Sequence, residues 1–321
     1  MIVWLLVGLG LLILLLAGDA LVKGAVNLSL RTGVPPLIVS LTIVAFGTSA
    51  PELLVSVNAV LVNKPGLALG NVVGSNTVNI LLVLGVPAII SGVYVSQCDT
   101  RRTYLIMLAV SVGFVALAFR GRFDTLAAVL LLAVLAVILA DAFRQVRSHQ
   151  RMMARIALDA DDAEDIEGAD PEMAWWQIVA FLVLGLVGLP LGADLLVDNA
   201  SIIARLYGFS DAMIGLTLVA LGTSLPELAT SVMAAIRRQT DVVLGNVIGS
   251  NMFNLLAIIG IASLVKDIPV DREFLTFDLW VMLAASLLLA PFVLMCRDIG
   301  RVWGVALSAL YVIYVWSVLS G

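Results

Sequence analysis

Apolar residues run through this 321-residue chain in stretches close to the roughly 20 that a helix needs to cross the hydrocarbon core of a bilayer. Read between polar breaks, they give ten spans: 3–22, 37–62, 66–90, 103–119, 124–142, 176–200, 212–236, 242–264, 277–295 and 303–319. Hydrophobic residues make up 61% of the chain and charged ones only 13%. Lipid is therefore the solvent for most of the surface, and the expected fold is an all-α polytopic membrane protein. The opening run MIVWLLVGLGLLILLLAG lacks a basic start and leads directly into sequence that recurs later, so it is read as a retained first helix and not a cleaved signal. The net charge of −5 says little about partners, because much of the acid lies in one polar segment, and nothing in it points to nucleic acid. Cys98 and Cys296 lie far apart, near predicted helix ends and without metal-type spacing, so neither a disulfide nor a metal site is expected.

Five spans lie on each side of that segment, which divides the chain into 1–143, a linker at 144–175, and 176–321. The linker is basic first (Arg144, Arg147, Arg151, Arg155) and acidic afterwards (from Asp159 to Glu172), and reads as a solvated connection. The two halves are copies in one register. Adding 175 carries 41–58 onto 216–233 with 12 of 18 positions identical, and 69–85 onto 244–260 with 10 of 17 identical. An odd number of spans per copy makes the second begin on the side where the first ended, so the repeats are inverted, as in many secondary transporters. With the amino terminus outside, 12 Lys and Arg residues fall on the cytoplasmic side and 6 on the other. The excess of basic residues inside places both termini outside the cytoplasm and the linker within it.

Each copy carries a glutamate where hydrocarbon should be: VAFGTSAPE at 44–52 and VALGTSLPE at 219–227. A carboxylate at membrane depth is costly and therefore functional by default. Pro51 has no N–H for the carbonyl of Gly47, nor Pro226 for that of Gly222, so both helices should loosen beside the acid and free carbonyls as ligands. Helical spacing lines Ala45, Thr48 or Ser49, Glu52 and Ser56 along one face, and Ala220, Thr223, Ser224, Glu227 and Ser231 along the matching one. All-oxygen sets of this kind suit hard cations such as Na⁺ and Ca²⁺, and two carboxylates balance one divalent ion. The following spans, LGNVVGSNTVNILLVLG and LGNVIGSNMFNLLAIIG, hold Gly70 and Gly74, then Gly245 and Gly249, at the spacing of close helix packing. Their amides are too many for lipid-facing helices, and Ser75 with Asn79, like Ser250 with Asn254, has i, i+4 spacing that points both towards the glutamates. Asp19, four residues before Lys23, reads as a simple intrahelical pair, while Asp194 and Asp198 read as structural or gating residues.

The paired GTSxPE and GNVxGSNxxN motifs resemble the α-repeats of sodium/calcium exchangers in the cation/Ca²⁺ antiporter superfamily, particularly the compact prokaryotic members. The likeness extends over essentially the whole chain. It implies ten helices in two inverted five-helix repeats, with Na⁺ and Ca²⁺ sites among the second, third, seventh and eighth. It implies Glu52 and Glu227 as main ligands, surrounded by Thr48, Ser49, Ser75, Asn79, Thr223, Ser224, Ser250 and Asn254, with the carbonyls of Ala45 and Ala220 contributing. The first and sixth helices would slide over this core. Na⁺ and Ca²⁺ are then substrates, no cofactor is needed, a monomer suffices, and the expected role is Ca²⁺ export driven by Na⁺ entry. Some relatives carry Asp where this chain has Asn254, and the neutral amide argues for independence of potassium. The proton-coupled branch tends to carry an acid where this chain has Gly74 and Gly249, so a proton-coupled cation antiporter is the alternative. A channel is the other rival, but proline-broken inverted repeats fit occlusion better. A membrane hydrolase would need a His or Lys base at depth, and neither motif holds one.

Overall fold

Backbone in hydrocarbon must bond within its own segment, and each apolar run does so as helix. The computed structural model describes residues 2–95, 100–156, 173–208 and 220–320. Its first half comprises α1 (Ile2–Thr32), α2 (Pro36–Thr48 continued by Ala50–Leu61), α3 (Pro65–Ile90), α4 (Arg101–Ala118) and α5 (Thr125–Ile156). The second comprises α6 (Trp175–Leu206), α7 (Ala220–Gly222 continued by Leu225–Ile236), α8 (Thr240–Val265), α9 (Phe274–Leu294) and α10 (Arg301–Ser320). Among the described residues eight helices are long and apolar enough to cross a membrane alone, and the bent α2 makes a ninth. The predicted span 212–236 falls partly at 209–219, outside the described residues.

Helix ends differ from the apolar runs where polarity and helicity part company. The run predicted at 3–22 continues as helix to Thr32, and that at 176–200 continues to Leu206, because polar residues end a hydrophobic stretch without ending its hydrogen bonding. Likewise the basic half of the predicted linker is helical, since α5 runs on to Ile156. The acidic cluster and Cys98 lie outside the described residues. Cys296 is a free, exposed thiol.

The helices α1 and α6, equivalent in the two repeats, pack along their length through glycine. A Cβ on Gly10 would stand 2.8 Å from the Leu196 nitrogen, and one on Gly192 2.9 Å from the Leu14 nitrogen. Such small-residue contacts let helix backbones approach in the absence of a hydrophobic drive between them. Elsewhere the repeats are clamped at both ends. The strand β1 (Arg122–Phe123) pairs antiparallel with β2 (Ile268–Pro269), and Val93 exchanges backbone hydrogen bonds of 3.0 and 2.9 Å with Ile299. Each clamp joins two loops that the alternation of spans places on one side of the membrane, so the contacts agree with the predicted topology.

Asp19 is more than an intrahelical partner for Lys23. It bonds Lys23 at 3.0 Å and also Arg237, beyond the end of α7. The repeat hid this contact, because the position equivalent to Arg237 is Val62. The Asp19 and Arg237 side chains are 20% and 22% exposed, so the pair is only partly screened. Arg237→Gln is expected to lower stability in detergent by about 1–2 kcal/mol, read as a fall in the midpoint of thermal unfolding; an unchanged midpoint would show the bond to be superficial.

Candidate ion-binding centre

The helix α2 breaks at its motif. Ser49 leaves the helical region at φ −83°, ψ 7°, the halves meet at 43°, and Ala50–Leu61 restarts with Pro51 in its first turn. The helix α7 repeats the break at Ser224, φ −90°, ψ 3°, and restarts with Pro226. Proline cannot continue the preceding ladder but suits a helix start, where its missing N–H is not needed. Glu52 and Glu227 therefore each occupy the first turn of a restarted helix, at its positive end. Both are fully buried.

At the first break the carbonyls of Ala45 and Gly47 each accept a hydrogen bond, which leaves each oxygen a second lone pair. At Ser49 the capping N–H groups bond Ala45 and Gly47, and the Thr48 hydroxyl lies 3.3 Å from the same Ala45 oxygen. A tight turn at Ser49 replaces the lost helical bond. Ala220 opens the described part of α7.

Two amides brace the acids from behind in matching fashion. Asn71 donates to the Glu52 carbonyl at 3.2 Å and to Ser56 at 2.9 Å, and Asn246 donates to the Glu227 carbonyl at 3.2 Å and to Ser231 at 3.1 Å. Thr48 in turn bonds the Asn246 oxygen at 3.3 Å, and Thr223 bonds that of Asn71 at 3.5 Å. In the sequence these asparagines count among the excess amides of the two segments, with no part assigned to them. Their spacing relative to Ser75 and Ser250 carried no sign that they reach across to α2 and α7.

What these braces leave is a set of buried oxygens with no hydrogen-bond partner among the described residues. Both carboxylate oxygens of Glu52, Oε2 of Glu227, the hydroxyls of Ser75, Ser224 and Ser250, and the amide oxygens of Asn79 and Asn254 all belong to it. Ser49 donates to Glu227 Oε1 at 3.0 Å, which ties a residue of the first repeat to the acid of the second. The structure thus brings together the predicted residues from α2, α3, α7 and α8. Asp194 and Asp198 are exposed on α6. Buried polar atoms are normally satisfied, so a concentration of bare oxygens at the crossing of four helices is what a cation site requires. Among the described residues no cluster of three or more His, Cys, Asp or Glu occurs. Its charge comes from two carboxylates, and the remaining donors are neutral.

Local backbone serves the site twice more. A π-helical turn begins at each candidate amide, Asn79–Val83 and Asn254–Ile258, and such turns recur at functional sites because they re-aim side chains. The helix α8 also lies directly on α2, as Gly245 and Gly249 predict: a Cβ on Gly249 would meet Leu41 O and Ala45 Cβ, both at 2.6 Å. The equivalent surface for Gly70 and Gly74 would fall at 209–219, outside the described residues.

The sequence family described as sodium/calcium exchanger protein matches residues 2–143 and 177–320. The chain is 32% identical over 339 residues to the sodium/calcium exchanger MaX1 of Methanosarcina acetivorans, covering 96% of this chain and 95% of that one. It is 33% identical over 314 residues to the inner membrane protein YrbG of Escherichia coli, covering 95% and 93%. Its structure is similar to that of the sodium-calcium exchanger NCX_Mj soaked with Na⁺ and Sr²⁺, with a TM-score of 0.80, 32% identity and 98% of each chain covered.

Proposed function

The chain belongs to the sodium/calcium exchanger family, and from that footing we propose that it exchanges Na⁺ for Ca²⁺ by alternating access, binding either ion between Glu52 and Glu227 and exporting Ca²⁺ on the inward Na⁺ gradient. The observation that carries this reading is the set of bare, buried oxygens at the crossing of α2, α3, α7 and α8. Two carboxylates balance one Ca²⁺ or two Na⁺. Thr48, Ser49, Ser75, Asn79, Thr223, Ser224, Ser250 and Asn254 complete the shells with neutral oxygen, which suits hard cations. Both acids come from one chain, so a monomer suffices. The protein is a multi-pass membrane protein that moves ions and catalyses no covalent reaction. We place it in the cell inner membrane with both termini outside the cytoplasm, supported by the 12 to 6 excess of basic residues on the cytoplasmic side.

Proteoliposomes loaded with Na⁺ test this directly. Ca²⁺ uptake is expected to saturate, to require the outward Na⁺ gradient, and to proceed equally in K⁺ and in an inert cation, since Asn254 adds no charge for a further cation. The neutral oxygens leave room for a third Na⁺, so exchange should carry net charge. One charge crossing the field is worth about 2.3 kcal/mol per 100 mV, and clamping the voltage should shift the end point. Uptake driven by a pH gradient without Na⁺ would identify a proton-coupled antiporter, and unsaturable flux without a counter-ion a channel.

A further inference from the structure

The braces behind the glutamates are alike in the two repeats, but the contacts between α3 and α8 are not. Asn251 receives two bonds from the first repeat: Asn76 donates to its carbonyl at 3.1 Å, and Asn79 donates to its side-chain oxygen at 3.1 Å. Its own amide nitrogen turns to the sulfur of Met107 at 3.9 Å. The equivalent bonds run from Asn251 to the Asn76 carbonyl and from Asn254 to the Asn76 side chain, and neither is made. Instead Asn76 Oδ1 and both amide atoms of Asn254 are buried without partners. The same sense appears at the acids, where Ser49 bonds Glu227 at 3.0 Å while the equivalent contact of Ser224 with Glu52 is looser.

An amide is planar, so tying the nitrogen of Asn79 to Asn251 fixes the direction of its oxygen. Asn254 has no such tie. Two copies of nearly one sequence have nearly the same pair of local arrangements available to them, and exchanging those arrangements gives a state of similar energy facing the other way. We propose that Asn251 and Asn76 are alternating positioning residues: Asn251 holds the Asn79 oxygen towards the ions in the state described here, and Asn76 holds that of Asn254 in the state open to the opposite face. The swap has a ready acceptor for the Asn76 nitrogen, because Met282 occupies the position equivalent to Met107 and is fully buried. This rests on the reading of Glu52 and Glu227 as the ion site.

The test measures the KM for Ca²⁺ from each face, in inside-out and right-side-out vesicles, together with the maximal rate and thermal stability. Losing one buried hydrogen bond to a ligand is worth about tenfold in affinity. Asn251→Ala is therefore expected to raise KM about tenfold on one face and to leave it within about twofold on the other, and Asn76→Ala to do the reverse. Met107→Leu and Met282→Leu keep the core volume and are expected to reproduce the same faces more weakly, since the sulfur is a weak acceptor; they stand in if an alanine variant fails to fold. Equal shifts on both faces, shifts of both asparagine variants on the same face, or lowered stability with unchanged KM would overturn the alternation. Normal transport by Glu52→Gln and Glu227→Gln would instead sink the ion site itself, so the two failures are distinguishable.

Discussion

Glu52→Gln and Glu227→Gln are each expected to reduce Na⁺-dependent Ca²⁺ flux by at least about a hundredfold while leaving the protein folded. A carboxylate about 4 Å from a cation contributes on the order of 4 kcal/mol per unit charge even at an effective dielectric constant near 20, which corresponds to roughly a thousandfold in binding. Neither acid has a substitute nearby, since no third carboxylate joins the cluster among the described residues. Folding does not suffer, because a buried carboxylate is expensive when unpaired and Gln has its shape without its charge. Without ions the variants should unfold at a temperature no lower than the parent. Ca²⁺ at a hundred times its dissociation constant should stabilise the parent by about 2.7 kcal/mol and leave both variants unmoved. Near-normal flux, or a Ca²⁺-induced rise in unfolding temperature in both variants, would remove these residues from the site.

Gly249→Ala is expected to weaken Ca²⁺ binding by a different route. The added methyl would stand 2.6 Å from both Leu41 O and Ala45 Cβ, and a backbone oxygen cannot rotate away. The first half of α2 must shift, at about 1–3 kcal/mol of strain, and Thr48 and Ser49 shift with it. The bonds from Thr48 to Asn246 and from Ser49 to Glu227 then loosen together. Apparent Ca²⁺ affinity is expected to fall more than about tenfold, beyond the roughly tenfold that 1.4 kcal/mol represents. Gly113→Ala is the matched control: nothing lies within 4 Å of its Cβ position, and in the middle of α4 alanine improves helix propensity by up to about 1 kcal/mol. The same change should therefore be harmful at one glycine and neutral or stabilising at the other. Equal unfolding temperatures and equal Ca²⁺ affinities for the two variants would show that the α8–α2 contact does not shape the site.

Local pattern sufficed for much of this. Apolar runs near 20 residues mark spans because hydrocarbon demands self-bonded backbone, and a register of 175 residues with five spans per copy makes the repeats inverted by parity alone. The glutamates announced themselves because a carboxylate in such a run is costly, and the proline before each marked the break of its helix. Only the tertiary structure decided how these parts meet. Arg237 reaches Asp19 from a distant element with no counterpart in the repeat. The Gly47 carbonyl, which Pro51 leaves without its helical donor, accepts instead from a turn whose geometry depends on how α2 is held. Asn71, Asn246 and Asn251 look alike in sequence, yet two hold backbone carbonyls and the third holds another amide. A side chain's type records which bonds it is able to form. Which of them it forms depends on the neighbours that packing supplies, and at the centre several of those come from residues about 175 positions away.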